Sequence, residues 1–268
     1  MRMTKARALP LLLISVLALS ACSADGQDGP TPSASPSASA PSTSPEPSES
    51  PETEDAKPFG IQGDGAEITA DGTARLAAAK ESFESAAGFT LQGSAESSGG
   101  ALSWEMTASG DGSDWTGTVY LPQQELRVRH TEATTWVSAS EEYWTLFGLP
   151  EELAKRAGEP DQFVVFPRDV PVATVSFVDV STLVQAIKML DPATASHTHD
   201  AADGTVVFTV EAADQTTWLQ TSANPTPRLE GLASRAAGSL NAVVITYLDS
   251  APTIELPSSD RVIIAPKP

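Results

Sequence analysis

The chain has 268 residues, with 16 Lys and Arg against 35 Asp and Glu, and its formal charge at pH 7 is −19. Nucleic-acid binding needs clustered basic side chains, so this balance excludes nucleic acid as a partner. The single cysteine excludes an internal disulfide framework and any zinc or iron–sulfur site built from several cysteines, and no cofactor is expected.

The first 21 residues have the parts of an export signal. Arg2, Lys5 and Arg7 precede the apolar run 8–19, which is too short to cross a bilayer because a spanning helix needs about 20 residues. The run ends in Leu19, Ser20, Ala21 and Cys22, a tetrapeptide that resembles the bacterial lipobox. We therefore predict a signal peptide over residues 1–21 and attachment of lipid (diacylglycerol, then palmitate) to Cys22. The alternative is an ordinary cleavage site with a cysteine beside it by chance.

The mature protein is predicted to depend on this anchor. Removing residues 1–21 takes away three positive charges and no negative ones, which brings the charge from −19 to −22. Such a body is repelled by anionic headgroups, so surface charge cannot hold it at a membrane. We expect an exported lipoprotein on the outer face of the cell membrane, with the membrane as its first partner.

Residues 22–60 are predicted to be the lipidated cysteine followed by a disordered Ser/Pro-rich tether. Between Gly29 and Ala56 there is no Val, Ile, Leu, Met or aromatic residue, so nothing there can offset the entropy of ordering the chain. Its prolines favour an extended form with a reach on the order of 100 Å. The tether is either a spacer that lifts the domain off the membrane or a solvated tail whose length matters little.

Residues 61–268 are predicted to form one domain that opens with a helix. Thr69 or Asp71 can cap this helix, an apolar stripe runs through it at 3–4 spacing, and Gly88 can stop it. The period then changes to two. Alternating apolar residues with Gly-rich turns between them predict an antiparallel meander over residues 89–137.

Two short helices are predicted next, capped by Ser140 and begun by Pro150, with Gly148 closing the first. A strand at 163–166 and a helix capped by Asp179 follow. Five further strands are predicted at 206–210, 216–220, 228–232, 243–248 and 253–256. The fold class is therefore α+β, a long curved antiparallel sheet with helices grouped on one side.

One apolar face of the meander is the candidate ligand site. Apolar residues that alternate along a strand share a face, and facing amphipathic helices can enclose either a cavity or a solid core. The residues predicted to line the cavity are Leu91, Leu102, Trp104, Met106, Val119 and Leu121. Trp104 and Met106 are large or adaptable enough to border a ligand.

The sequence gives little support for a metal site or for catalysis. His197, His199, Asp200 and Asp203 form the one cluster of metal-ligand types, and we interpret it as a solvated polar turn rather than a metal site. There is no Gly-x-Ser-x-Gly elbow and no Ser-x-x-Lys pair, so we expect no enzyme activity. His130 alternates with Val128 and is predicted to be a half-buried sheet residue.

Three stretches resemble bacterial lipoproteins of the LppX/LprG type. They are the hairpin 125–130 to 136–137, the run Glu142-Tyr143-Trp144 with Gly148-Leu149-Pro150, and the closing run 244–249 with 252–257. The resemblance implies a half-open β-barrel with helices across its mouth. It also implies an apolar groove that holds an acylated lipid or glycolipid. The family has no single ligand motif, so no ligand contact is carried over.

The sequence thus supports a monomeric, anchored lipoprotein that binds an acylated ligand between sheet and helices for transport or presentation in the envelope. Opening is expected from movement of the helices around Gly148 and Gly158. The alternative is an anchored interaction module with a filled core that binds an envelope protein or wall component. A third and weaker alternative is a sensor of envelope state, which only the predicted tether supports.

Overall fold

A computed structural model describes residues 57–61, 63–97, 100–131, 134–165, 180–201, 203–212, 215–236 and 239–265. The signal peptide, Cys22, the lipobox and the predicted tether up to Ala56 lie outside these residues. So do the predicted helix cap Asp179 and the last residue of the predicted strand 163–166.

The described chain contains four helices and thirteen strands. The helices are α1 (Ala70–Glu84), α2 (Glu141–Phe147), α3 (Glu151–Ala157) and α4 (Val180–Met189). The first seven strands are β1 (Ala66–Glu67), β2 (Gly88–Ser97), β3 (Gly100–Ser109), β4 (Trp115–Leu121), β5 (Gln124–Thr131), β6 (Thr134–Ser138) and β7 (Phe163–Val165). The remaining six are β8 (Ala195–Asp200), β9 (Val206–Ala212), β10 (Gln215–Thr221), β11 (Leu229–Ala236), β12 (Ser239–Leu248) and β13 (Val262–Ile264).

All thirteen strands belong to one open, curved sheet, in the order β1-β8-β9-β10-β11-β12-β2-β3-β4-β5-β6-β7-β13. Neighbouring strands are antiparallel except β7 and β13, which run parallel. Two meanders, β2–β7 and β8–β12, are joined where β12 returns to pair with β2. The predicted fold class, α+β with a curved and mainly antiparallel sheet, is confirmed.

The four helices pack on one face of this sheet, which we call the inner face. Phe83 of α1 stacks on Phe89 of β2 with ring centroids 4.3 Å apart, so inward-facing residues are those in phase with Phe89. Buried residues of α1, α2, α3 and α4 join those of the inner face in a single hydrophobic core. Burial of this apolar surface is the main stabilisation of the domain.

Local signals place α1 and α2 where the sequence predicts them. The Thr69 hydroxyl accepts a hydrogen bond from the Gly72 amide, so Thr69 rather than Asp71 caps α1. The Ser140 hydroxyl likewise accepts from the Tyr143 amide. Gly148 ends α2 with φ of 93°, a left-handed conformation that favours glycine.

Two predictions of local structure are wrong, and one strand was missed. Residues 197–199, interpreted as a turn, belong to strand β8, because backbone pairing with β9 and β1 overrides the polar composition. Residues 253–256 are not a strand, since Pro252 and Pro257 flank them and have no N–H to donate to a ladder. The three-residue strand β13 was not predicted at all.

Two segments cover parts of the opposite, outer face. Phe59 and Ile61 pack on Val207, Trp218 and Ala233 in a second hydrophobic cluster. At the other end of the sheet, a guanidinium nitrogen of Arg129 donates to the Glu255 carbonyl oxygen at 2.5 Å. No helix in the described part of the chain is both long enough and apolar enough to span a bilayer.

Candidate ligand-binding site on the inner sheet face

The structure brings the six predicted cavity residues to the same face of neighbouring strands. Leu91, Met106 and Val119 are buried, with exposed fractions of 0–1%. Trp104 is 9% exposed, and Leu102 and Leu121 are half-buried. All six are part of the core that the helices cover, so the predicted set is one continuous apolar surface.

Trp104 lies flat across the neighbouring strand because that strand has a glycine opposite it. Gly93 pairs with Trp104, and a Cβ built on Gly93 would come within 2.0 Å of the indole Cζ2. A side chain at position 93 would push the ring into the space between sheet and helices. The glycine therefore sets the depth of the apolar layer at the centre of the inner face.

The inner face is only partly covered at the end where β2 finishes and β3 begins. Leu102 lies there on β3, with Leu121 near it on β4, and both keep part of their side-chain surface exposed. Phe89, at the other end of β2, is fully buried under Phe83. The inner face thus has a closed end at Phe89 and a partly open end at Leu102 and Leu121.

The helices form two pairs with separate attachments to the sheet. The α1 helix packs against α4, and α2 packs against α3. The Lys188 ammonium of α4 donates to the Gly110 carbonyl at 3.2 Å, in the turn between β3 and β4. The Ser140 hydroxyl donates to the Gln124 amide oxygen at 2.6 Å, at the start of β5 and directly after the next turn. The two pairs are therefore held at opposite ends of strand β4.

The two glycines that were expected to permit helix movement differ in their surroundings. A Cβ built on Gly148 meets nothing within 4 Å. A Cβ built on Gly158 would lie 2.4 Å from the Glu141 amide nitrogen, because the end of α3 touches the start of α2. Gly148 has room to move, whereas Gly158 is a packing contact that fixes α3 against α2.

The Tyr247 phenol on the inner face is uncharged, and the Arg228 guanidinium lies 5.1 Å from the centre of its ring. The Tyr247 hydroxyl accepts a hydrogen bond from the Leu229 amide at 3.1 Å. Burial raises the pKa of Tyr247 to about 12, so this phenol stays neutral at physiological pH. A neutral, apolar surface suits an acyl chain better than a charged ligand.

Sequence reasoning missed one polar site on the same face. Asn241 and Ser234 are register partners on β12 and β11, and both are buried on the inner face. Among the residues that the structure describes, none forms a hydrogen bond with the Asn241 Oδ1 atom. The signal was present, since Asn241 stands in phase with Val243 and Ile245 on one strand, but that strand was predicted to begin only at Val243.

The histidine-rich segment forms ordinary strand contacts. The His199 Nε2 atom lies 3.2 Å from the Thr209 hydroxyl, and Asp203 accepts from the Thr205 amide at 3.0 Å. In the part of the chain that the structure describes, no three His, Cys, Asp or Glu side chains are grouped to hold a metal ion. His130 is half-buried and stacks on Trp115 with ring centroids 5.3 Å apart, as predicted for a sheet residue.

No protein-family model and no curated protein matches the chain. Solved structures with a similar fold include LprF from Mycobacterium bovis, with 10% identity and a TM-score of 0.46, covering 72% of this chain and 100% of that one. Lipoprotein LppX from Mycobacterium tuberculosis is similar with 7% identity and a TM-score of 0.43, covering 68% of this chain and 97% of that one. The predicted resemblance to lipoproteins of the LppX/LprG type is confirmed as a resemblance. Because both TM-scores lie below 0.5, the function has to be argued from this chain's own residues.

Proposed function

We propose that this chain is an exported, lipid-anchored lipoprotein that holds the acyl chain of a lipid or glycolipid between the inner sheet face and the helices. Cys22 carries the anchor and residues 22–60 tether the domain to the outer face of the membrane. The ligand is carried or presented within the envelope. We propose no catalytic role.

The observation that supports this proposal best is the partly open end of the inner face. Leu102 and Leu121 are half-buried beside Trp104, so apolar surface continues beyond the well-packed region around Leu91 and Met106. Covering such surface with an acyl chain is favourable by about 0.8 kcal/mol for each CH₂ group buried. The headgroup would remain in water at that end.

The proposed route of entry is movement of the helices. The pairs α1–α4 and α2–α3 are attached to different turns of the sheet. Displacing the α2–α3 pair as one unit, held together by the contact at Gly158, would widen the layer over Leu102 and Leu121 without disturbing α1. The expected movement therefore belongs to α2–α3.

The second candidate is an anchored interaction module with a filled core. Leu91, Met106 and Val119 are as fully buried as ordinary core residues. In addition, the outer face has a shallow depression of about 320 Å³ on β12, β2, β3 and β4, with Tyr120 and Val244 exposed in it. A protein or wall component would bind there rather than between sheet and helices.

Native mass spectrometry of the mature chain, residues 22–268 with Cys22→Ser, tests the two candidates. The protein is purified from a bacterial host, and whatever co-purifies is extracted into solvent. The carrier predicts a stoichiometric adduct of lipid mass that disappears on denaturation, and a melting temperature that rises with added lipid. A clean apo mass that does not change on incubation with membrane lipids would reject the carrier and favour the module.

A further inference from the structure

Asn241 is a buried polar residue on an apolar surface. Its two register partners both face inward. They are the apolar Ala95 on β2 and the polar Ser234 on β11. Its exposed fraction is 7%, and its Oδ1 atom accepts no hydrogen bond from any residue that the structure places. Leaving a buried amide oxygen without a donor costs about 1–3 kcal/mol, so a native structure usually supplies a partner.

The neighbours of Asn241 form a short polar strip that leads to the open end of the inner face. Ser234 is 3% exposed, and the next register partner, Thr217 on β10, is half-buried. On its other side Asn241 is followed by Ala95 and then by Leu102, which pairs with Ala95. One row of side chains across the sheet therefore changes from polar to apolar between Asn241 and Ala95.

This row adjoins the apolar row that contains Trp104. Val243, two residues from Asn241 on β12, pairs with Gly93, and Gly93 pairs with Trp104. Residues two apart on a strand share a face and lie about 7 Å apart. A ligand whose acyl chain lies on Trp104 and Val243 therefore has its next polar atoms within reach of Asn241.

We propose that Asn241, with Ser234 beside it, binds a hydroxyl group of the ligand close to its acyl chain. The Asn241 amide oxygen accepts from the ligand the hydrogen bond that no residue in the described part of the chain donates to it. The ligand class is then an acyl lipid with a free hydroxyl near the ester, as in an acylglycerol or an acylated sugar, rather than a simple fatty ester. This inference rests on the proposed carrier function and specifies its ligand.

Two probes with the same acyl chain test the inference. 1-Monopalmitoylglycerol has free hydroxyls and methyl palmitate has none. Dissociation constants for the mature chain with Cys22→Ser are measured by native mass-spectrometric titration. The protein is expected to prefer monopalmitoylglycerol by about tenfold, since methyl palmitate leaves the amide oxygen unpaired. Asn241→Leu is expected to bind methyl palmitate at least as tightly as before and to lose this preference.

The matched control is Asn224→Leu, the same change at an exposed position in the connection between β10 and β11. It is expected to leave both dissociation constants unchanged. A preference that survives in Asn241→Leu would overturn the inference, as would equal binding of the two probes by the unsubstituted protein. If that protein binds neither probe, the carrier function itself fails.

The melting temperature of the ligand-free protein provides an independent measurement. Replacing an unpaired buried polar group with an apolar one of similar size is neutral or stabilising. Asn241→Leu is therefore expected to melt at the same temperature as the unsubstituted protein or higher. A drop of several degrees would show that the amide serves the fold, and it would overturn a role in ligand binding.

Discussion

The turn between β3 and β4 depends on the side chain of Asp111. Its Oδ1 atom accepts from the Ser109 hydroxyl at 2.7 Å, from the Ser113 amide at 3.0 Å and from the Ser113 hydroxyl at 2.9 Å. The hydrogen bond from Ser109 is the largest cause that lowers the pKa of Asp111 from 3.8 to about 2. This turn also receives the Lys188 ammonium of α4, so one charged residue supports a helix attachment.

We predict that the stability supplied by Asp111 is lost in acid. The pKa of this carboxyl is lower in the folded than in the unfolded protein. Its contribution to the free energy of unfolding is therefore complete above pH 3.8 and disappears as the pH falls towards 2. Because Asp111 is largely exposed, Asp111→Asn is expected to lower the melting temperature near pH 7 by only about 1–3 °C. Calorimetry from neutral pH down to about 2 measures the difference between the two proteins.

The difference in melting temperature between wild type and Asp111→Asn, which we call the gap, should disappear as the pH approaches 2. Asp249→Asn, a substitution of an exposed aspartate in a different turn, is the control and should show no such gap. A gap that stays the same size at all pH values would mean that the carboxylate charge is not what stabilises the turn.

At the scale of whole elements, the α2–α3 pair depends on the absence of a side chain at Gly158. We predict that Gly158→Ala destabilises the domain by about 1–3 kcal/mol, because the methyl group would meet the backbone of Glu141 and one helix would have to shift. Gly148→Ala is the matched control. Its methyl group meets nothing, but its φ of 93° costs about 1 kcal/mol.

Urea unfolding of the two alanine variants measures these costs. The expected order of stability is wild type, then Gly148→Ala, then Gly158→Ala. If Gly158→Ala unfolds at the same urea concentration as wild type, α3 does not press on α2, and Gly158 becomes available as a hinge.

The elements that sequence predicts well are those with a local cause. The caps at Thr69 and Ser140, the αL glycine at Gly148 and the period-two alternation in β2–β5 each act within a few residues. Strand β8 could not be predicted because His197 and Thr198 are strand residues only through their pairing with distant β9 and β1. The parallel strand β13 has the same explanation.

Local sequence patterns likewise predict only part of the candidate site. Alternation alone places Leu91, Trp104 and Met106 on one face, and the structure brings them together. The polar group at Asn241 and Ser234 depends on the register of β11 against β12, and no local pattern reveals that register.

At the scale of the whole molecule, the proposed tether would join the domain on the face opposite the helices. Phe59 and Ile61, the first apolar residues after the long polar segment, pack on Val207, Trp218 and Ala233 of the outer face. A Cβ on Gly231 would come within 2.8 Å of the Phe59 ring, so the sheet surface is shaped to admit that ring. A pull on the proposed tether would therefore act on the outer face of the sheet.

We predict that Phe59→Ala loosens this attachment. Loss of a half-buried aromatic ring should lower the free energy of unfolding by about 1–2 kcal/mol. It should also expose Trp218, which is 5% exposed in the intact protein, and shift its fluorescence to the red. Leu146→Ala, which removes a side chain that is 78% exposed, is the control and should change neither property. Because the bared patch is apolar, we further expect the variant to elute from size-exclusion chromatography at a larger apparent size than the wild type. If Phe59→Ala changes neither the free energy of unfolding nor the fluorescence, the Phe59 ring does not hold the chain on the sheet. The first attachment of the chain to the outer face would then be at Ile61.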